Sequence, residues 1–322
     1  MEPADVQVWN QQTCGLTAGW LTQGLDEASM GKASRTKVDT SRRERIAAQR
    51  AAERRAEQRR RILIASGSIV VVIAVVVGFI VFKATSKPGS STSSNGPTGA
   101  ALSSVVSNVT SVPASTLDKV GNGSGQVTAN PPVKAITGGT PLTANGKPEV
   151  LYIGAEFCPY CAAMRWSLAV ALSKFGTFST PLRGIHSAPD EAPSIASLPT
   201  LTFYRSAYQS PYLTFTPVEN EKIDHSPLQA TTPLQQQVWD RYDPNSYPFI
   251  DIGNRYVVTI IYDARVLHGK TWGQVAAALH DPASPIARGA IGAANYLIAA
   301  ICHLTGSKPT GVCSSPTISA LH

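Results

Sequence analysis

Cys158-Pro159-Tyr160-Cys161 is the one short segment whose residue types and spacing suffice for chemistry. Thiol–disulfide exchange proceeds through a thiolate, and a cysteine at a helix N-terminus faces unpaired backbone N–H groups that stabilise that anion. In such a setting Cys158 is the attacking sulfur. Cys161, one helical turn on, resolves the mixed disulfide. Pro159 suits the first helical position, where no N–H is needed. Together with Tyr160 it is expected to contact the substrate. Two other readings use the same residues. A C-x-x-C pair can be half of a zinc site, but the other half would be Cys302 and Cys313, with ten residues between them, far from knuckle spacing. It can also be a purely structural disulfide, although so short a loop constrains little chain.

The flanking pattern sets the pair at a strand–helix junction. Residues 149–155 (EVLYIGA) are a short apolar run with β-favouring Val, Tyr and Ile. From Cys161, apolar residues recur at helical spacing through Met164, Leu168, Leu172 and Phe175, and Gly176 ends the helix. Further strands are predicted over 182–186, 201–204, 212–216, 249–252 and 256–261, the last two joined by a Gly253-Asn254 turn. Helices are predicted over 233–242, 271–280 and 285–304. The aromatics Tyr204, Tyr208, Tyr212 and Phe215 fall in an insertion. They read as core packing of a larger domain or, alternatively, as a substrate-binding face. His186 closes a strand and can approach the cysteines, with packing elsewhere the plainer reading. The other histidines read as surface or loop residues.

Ala155-Glu156-Phe157-Cys158-Pro159-Tyr160-Cys161 resembles the active-site segment of thioredoxin, with the Pro-Tyr pair that glutaredoxins use. The stretch from about 148 to 313 resembles a family of membrane-anchored thioredoxin-like proteins of actinobacteria and archaea, classed as a domain of unknown function. The residues carrying this are Gly154-Ala155-Glu156, Ala162-Ala163, His186-Ser187-Ala188 and Pro248-Phe249-Ile250-Asp251. The resemblance implies an α/β, thioredoxin-like fold with an insertion. It also implies a cis-proline opposite the cysteines, just before a strand. Tyr247-Pro248 is the matching position, with the Tyr247 backbone pairing an extended substrate chain. One departure is plain: thioredoxins carry a buried acid six residues before the first cysteine, and here that residue is Tyr152.

Cys302 lies in the last turn of the 285–304 helix, and Gly306 and Pro309 let the chain return toward Cys313. A disulfide closing that loop contributes about 3 kcal/mol in the chain-entropy account. A structural staple is one reading; a second redox pair exchanging electrons with Cys158 and Cys161 is the other.

Outside this region the chain of 322 residues has a different character. Residues 62–82 are 21 consecutive uncharged, mostly apolar positions, roughly 30 Å as a helix, the thickness of a bilayer core. A cleaved signal peptide would have a shorter apolar run and a short basic lead. Residues 32–61 hold twelve Lys/Arg against four Asp/Glu, whereas only Lys83 and Lys87 follow closely on the far side. The asymmetry places the N-terminus in the cytoplasm and the large C-terminal part outside it. Four of the five cysteines then lie on the oxidising side. The basic segment reads as a topology signal on a solvated helix, or as a contact with anionic membrane lipid at about 1 kcal/mol per basic residue. MGKASRTKV from Met30 reads as a natural start, which would leave residues 1–29 and Cys14 outside the native protein. Residues 84–146 are rich in Ser, Thr, Gly, Pro, Asn and Ala, a flexible-linker composition.

The organisation expected is therefore a basic tail over 1–61, a single transmembrane helix over 62–83, a linker over 84–146, and a thioredoxin-like domain with a C-terminal helical extension over 147–322. Fifteen Lys/Arg against thirteen Asp/Glu after residue 83, with no basic stripe interleaved with aromatics, speak against nucleic acid as a partner. The expected function is a membrane-tethered oxidoreductase that needs no cofactor or metal. Its partners would be extracytoplasmic protein thiols or disulfides and a separate redox partner. The alternative is a cell-envelope binding protein that reuses the scaffold without catalysis.

Overall fold

The computed structural model describes residues 96–321. The basic tail, the 62–82 run, Cys14 and the first part of the expected linker lie outside the described residues. What is described is a mixed α/β fold.

Two helices come first, α1 (Gly99–Thr110) and α2 (Ala114–Val120), followed by short strands β1 (Lys134–Ala135) and β2 (Thr143–Ala144). Strand β3 (Lys147–Gly154) leads into α3 (Pro159–Leu172). The insertion forms two small antiparallel pairs: β4 (Thr177–Thr180) with β7 (Ala207–Gln209), and β5 (Arg183–His186) with β6 (Pro199–Thr202). Strand β8 (Thr214–Glu219), helix α4 (Pro233–Tyr242), and strands β9 (Phe249–Ile252) and β10 (Tyr256–Val258) follow. After a 3₁₀ turn over Ala264–Leu267 come α5 (Trp272–Ala278), α6 (Pro285–Leu304), α7 (Thr310–Cys313) and α8 (Pro316–Ala320).

Strand β3 is the centre of the main sheet. It pairs in parallel with β8 and antiparallel with β9, which continues through β10 to β1, while β2 pairs with its first residues. Register sets Gly154 opposite Glu219, and Ile153 opposite both Val218 and Phe249. The period-2 alternation of side chains sends Val150 and Tyr152 into one core with α3 and α6, and Leu151 and Ile153 into a second core with Val238 and Trp239 of α4. Both faces of β3 are covered, which is why its sequence is an almost unbroken apolar run. The β9–β10 turn uses Gly253 and Asn254, both at positive φ, the conformation a two-residue hairpin turn requires.

The linker reading of 84–146 needs correction over its described part. Val105, Val109 and Val112 recur at i, i+4 and i+7 and are all buried. Leu117 and Val120 of α2 join the same core. Polar contacts lock the segment down: buried Asn295 of α6 donates to the carbonyls of Leu117 (2.9 Å) and Gly121 (2.7 Å). Lys174 Nζ donates to the carbonyl of Val112 at 2.6 Å. Gly123 and Gly292 allow the backbones to touch; a Cβ on Gly292 would sit 2.6 Å from the Gly123 Cα. Small residues that read as spacer thus let two helices lie close against the domain.

Helix α6 is long and apolar enough to cross a membrane, the one such helix among the described residues, yet most of it is buried inside the domain. Cys302, in its last turn, is disulfide-bonded to Cys313 with the Cα atoms 5.6 Å apart, and both residues are buried. Of the four aromatics singled out, Phe215 is in the core and Tyr208 and Tyr212 pack against it, whereas Tyr204 lies outside it against Arg183 and Arg205. Tyr208 and Phe215 cluster with Phe178 and Phe203 at ring-centroid distances of 5.0–6.4 Å.

Candidate functional site

Cys158 is the N-cap of α3. Its Sγ accepts the Cys161 backbone N–H at 3.1 Å, and Pro159 occupies the first turn. The strand stops at Gly154 because the chain must turn to start the helix; the Cys158 N–H closes that turn on the Ala155 carbonyl at 3.2 Å. Both cysteines carry free thiols. Cys158 is 4% exposed and Cys161 fully buried, so the first sulfur alone can meet a partner.

The Tyr247–Pro248 peptide bond is cis and immediately precedes β9. The Tyr247 carbonyl lies 3.8 Å from Cys158 Sγ, within reach of the thiol as donor. The Tyr247 ring is held by stacking on Trp239 at 5.2 Å. Its hydroxyl donates to Glu221 Oε1 (3.1 Å) and accepts from Asn220 Nδ2 (2.7 Å). Phe157 stands edge-on to Tyr247 and packs against the His225 ring at 4.1 Å. Tyr160 is exposed at the rim, one of two large apolar side chains so exposed among the described residues, while Pro159 is buried beneath it.

His186 does not join the site; its ring packs against Trp272 at 4.3 Å. His225 is an exposed loop residue, as the sequence suggests; it also borders the site through Phe157 and pairs with Asp190 at 3.3 Å. Cys302 and Cys313 bond to each other and so do not complete a zinc site with Cys158 and Cys161.

Beneath the cysteines lies a group that sequence reasoning missed. Arg165 of α3 and Glu219 at the end of β8 are both fully buried and form a forked ion pair. Arg165 Nε donates to Oε1 at 2.9 Å and Nη2 to Oε2 at 2.6 Å. Nη2 also donates to the Ala155 carbonyl at 2.6 Å, the carbonyl that receives the Cys158 N–H. Glu219 Oε1 accepts the Phe203 N–H at 3.1 Å. Arg165 Nη1 and the Tyr152 hydroxyl are buried without partners. The signal in the sequence was Arg165 itself, the one charged residue between 157 and 173.

These surroundings split the two thiols. Burial pushes the Cys158 thiol up, but hydrogen bonds from Cys161, the Arg165 charge and the Tyr160 N–H outweigh it, and the net shift is downward. Burial and the neighbouring Cys158 push Cys161 well above an ordinary thiol. Burial likewise holds Tyr152 protonated, its affinity for the proton raised well above that of a free phenol. Glu156, hydrogen-bonded by Thr202 at 2.8 Å, is raised mainly by burial. Iodoacetamide is therefore expected to alkylate the reduced native protein at Cys158, with a pH midpoint below the ~8.5 of a free thiol, and to leave Cys161 intact. Peptide mass mapping across pH checks this; faster labelling of Cys161 would contradict the assignment.

Fold and site together define a mixed α/β domain bearing a buried C-x-x-C dithiol at a strand–helix junction, faced by a cis-proline. The chain belongs to the family described as Domain of unknown function (DUF929), whose model matches residues 134–303, just over half of the sequence. No curated protein and no solved structure matches the chain. Helices α1 and α2 lie outside the matched stretch although they share its core.

Proposed function

We propose that the protein is a membrane-tethered thiol–disulfide oxidoreductase with a thioredoxin-like domain on the non-cytoplasmic side, acting on protein thiols and disulfides. The observation that carries this is the position of Cys158 Sγ. It accepts a helix N-terminal N–H at 3.1 Å and lies 3.8 Å from the carbonyl of the cis Tyr247–Pro248 pair. Attack by the Cys158 thiolate on a substrate disulfide forms a mixed disulfide, and the departing substrate thiolate takes up a proton. Cys161 then loses its proton and attacks Cys158, releasing the second substrate sulfur and leaving the Cys158–Cys161 disulfide. The reverse sequence oxidises a substrate dithiol. Tyr247, Pro248 and exposed Tyr160 border Cys158, where an extended peptide would lie. The tether and the compartment rest on the uncharged 62–82 run, the basic residues before it and the Cys302–Cys313 disulfide.

Cys161→Ser is expected to accumulate mixed disulfides on Cys158 in cells, visible on non-reducing gels and identified by mass spectrometry, and Cys158→Ser to accumulate none at Cys158. Absence of adducts in both variants would replace the enzyme reading with that of a binding scaffold.

A further inference from the structure

The buried ion pair has a place in the chemistry beyond holding the fold. Arg165 sits seven residues after Cys158 and four after Cys161, so α3 turns all three toward the same end of the sheet. Its Nη2 grips the Ala155 carbonyl from which Cys158 hangs, and its charge has no exit to water. The two remaining N–H donors, on Nη1, have no partner among the described residues. The titratable groups facing this charge are Glu219, Tyr152, Cys158, Cys161 and, beside the cysteines, Glu156. Tyr152 stands where a buried acid would oppose a thiolate, and it is a neutral phenol. Glu219 is the one carboxylate in contact with Arg165, at the end of the strand parallel to β3.

Resting on the thiol–disulfide reading, we infer that Arg165, clamped by Glu219, is a positioning residue whose charge stabilises the reduced site and biases the Cys158–Cys161 couple toward donating its disulfide to substrate dithiols. In that direction a substrate thiolate attacks the Cys158–Cys161 disulfide and Cys161 leaves and is protonated. The second substrate thiol then loses its proton and attacks the substrate sulfur bound to Cys158. Cys158 leaves as the thiolate, the substrate gains one disulfide, two electrons end on the cysteine pair, and of the two substrate protons one ends on Cys161 and the other in solvent. A charge that stabilises the thiolate of the product makes the disulfide a stronger oxidant. Glu219 moderates the effect, because its negative charge partly cancels Arg165 at the sulfur.

The test is a pair of variants of the full chain in detergent, read by thiolate absorbance against pH and by equilibration with glutathione. Glu219→Gln keeps an acceptor for the Phe203 N–H but leaves the Arg165 charge unbalanced. It should move the Cys158 titration to lower pH and make the site several-fold more oxidising. Arg165→Met combined with Glu219→Gln removes both charges. It should move the titration above wild type and make the site about tenfold less oxidising. Shifts of opposite sign are beyond a purely structural pair, which would loosen the site alike in both. A Cys158 titration and glutathione equilibrium in Glu219→Gln equal to wild type, or shifted the other way, would overturn the inference. If Glu219→Gln, which strands the buried Arg165 charge, does not fold, the double variant decides alone, and a titration at or below wild type overturns the inference. These readouts need no substrate. Failure here with adducts still trapped by Cys161→Ser removes the charge effect and leaves the enzyme, whereas shifts without adducts leave a tuned dithiol of other use.

Discussion

A protein shortened to begin at Lys147 is expected to lose its cooperative unfolding transition, whereas one beginning at Gly96 keeps it. Starting at Lys147 removes Val105, Val109, Val112, Leu117 and Val120, all buried in the principal core. At about 1.5–3 kcal/mol for each fully buried aliphatic side chain, the loss is on the order of 10 kcal/mol. That equals the whole net stability of an ordinary domain, about 5–15 kcal/mol. Further losses follow. Asn295 Nδ2, fully buried, loses both of its acceptors, and β1 no longer covers β10. Thermal melts followed by circular dichroism discriminate the cases; equal midpoints for the two proteins would show that α1 and α2 merely lie on a domain complete without them.

That experiment bears on what the sequence makes legible. Junctions with strong local chemistry were readable. Thr232 and Gln235 form a reciprocal cap, so the helix predicted over 233–242 matches α4 to the residue. Ser284 and Pro285 open α6 where predicted. The strand before Cys158 was likewise carried by neighbours in sequence, whereas the cis position at Pro248 followed from the resemblance to thioredoxin. Segments whose limits depend on partners were not. The strand expected over 212–216 is instead Thr214–Glu219, because its ladder runs alongside β3 from Glu149 to Gly154. The strand expected over 256–261 stops at Val258, and the chain turns so that Tyr262 donates to the Ala163 carbonyl at 2.7 Å. Helices α1 and α2 were hidden by composition: three valines at helical spacing are a weak signal among Ser, Thr and Asn. In the site, Cys158, Cys161, Tyr247 and Pro248 could be named in advance. The Arg165–Glu219 pair could not, since its partners lie 54 residues apart and meet through the pairing of β3 with β8.

Arg165→Met on its own is expected to cost about 3–5 kcal/mol of unfolding free energy, the largest effect of any single substitution near the site. The reason is not the removal of a stabilising contact. A buried ion pair offsets its own desolvation only while both charges are present. Without Arg165, Glu219 has no counter-charge, is fully buried, and retains the Phe203 N–H as its donor from the main chain. The Ala155 carbonyl keeps only the Cys158 N–H. Adding Glu219→Gln removes the stranded charge while keeping that acceptor, and should restore most of the loss, leaving a deficit of about 1–2 kcal/mol from unmet hydrogen bonds. Urea titrations of wild type, both single variants and the double variant close the cycle; the double variant should be about 2–3 kcal/mol more stable than Arg165→Met, and the coupling should exceed that difference by the cost of Glu219→Gln alone. Additive single effects would mean that the two side chains do not act as a pair. If the coupling holds, a neutral substitute costs the fold little. The reason for keeping two charges in the core would then be sought above them, at Cys158, in the redox bias proposed for the Arg165 charge.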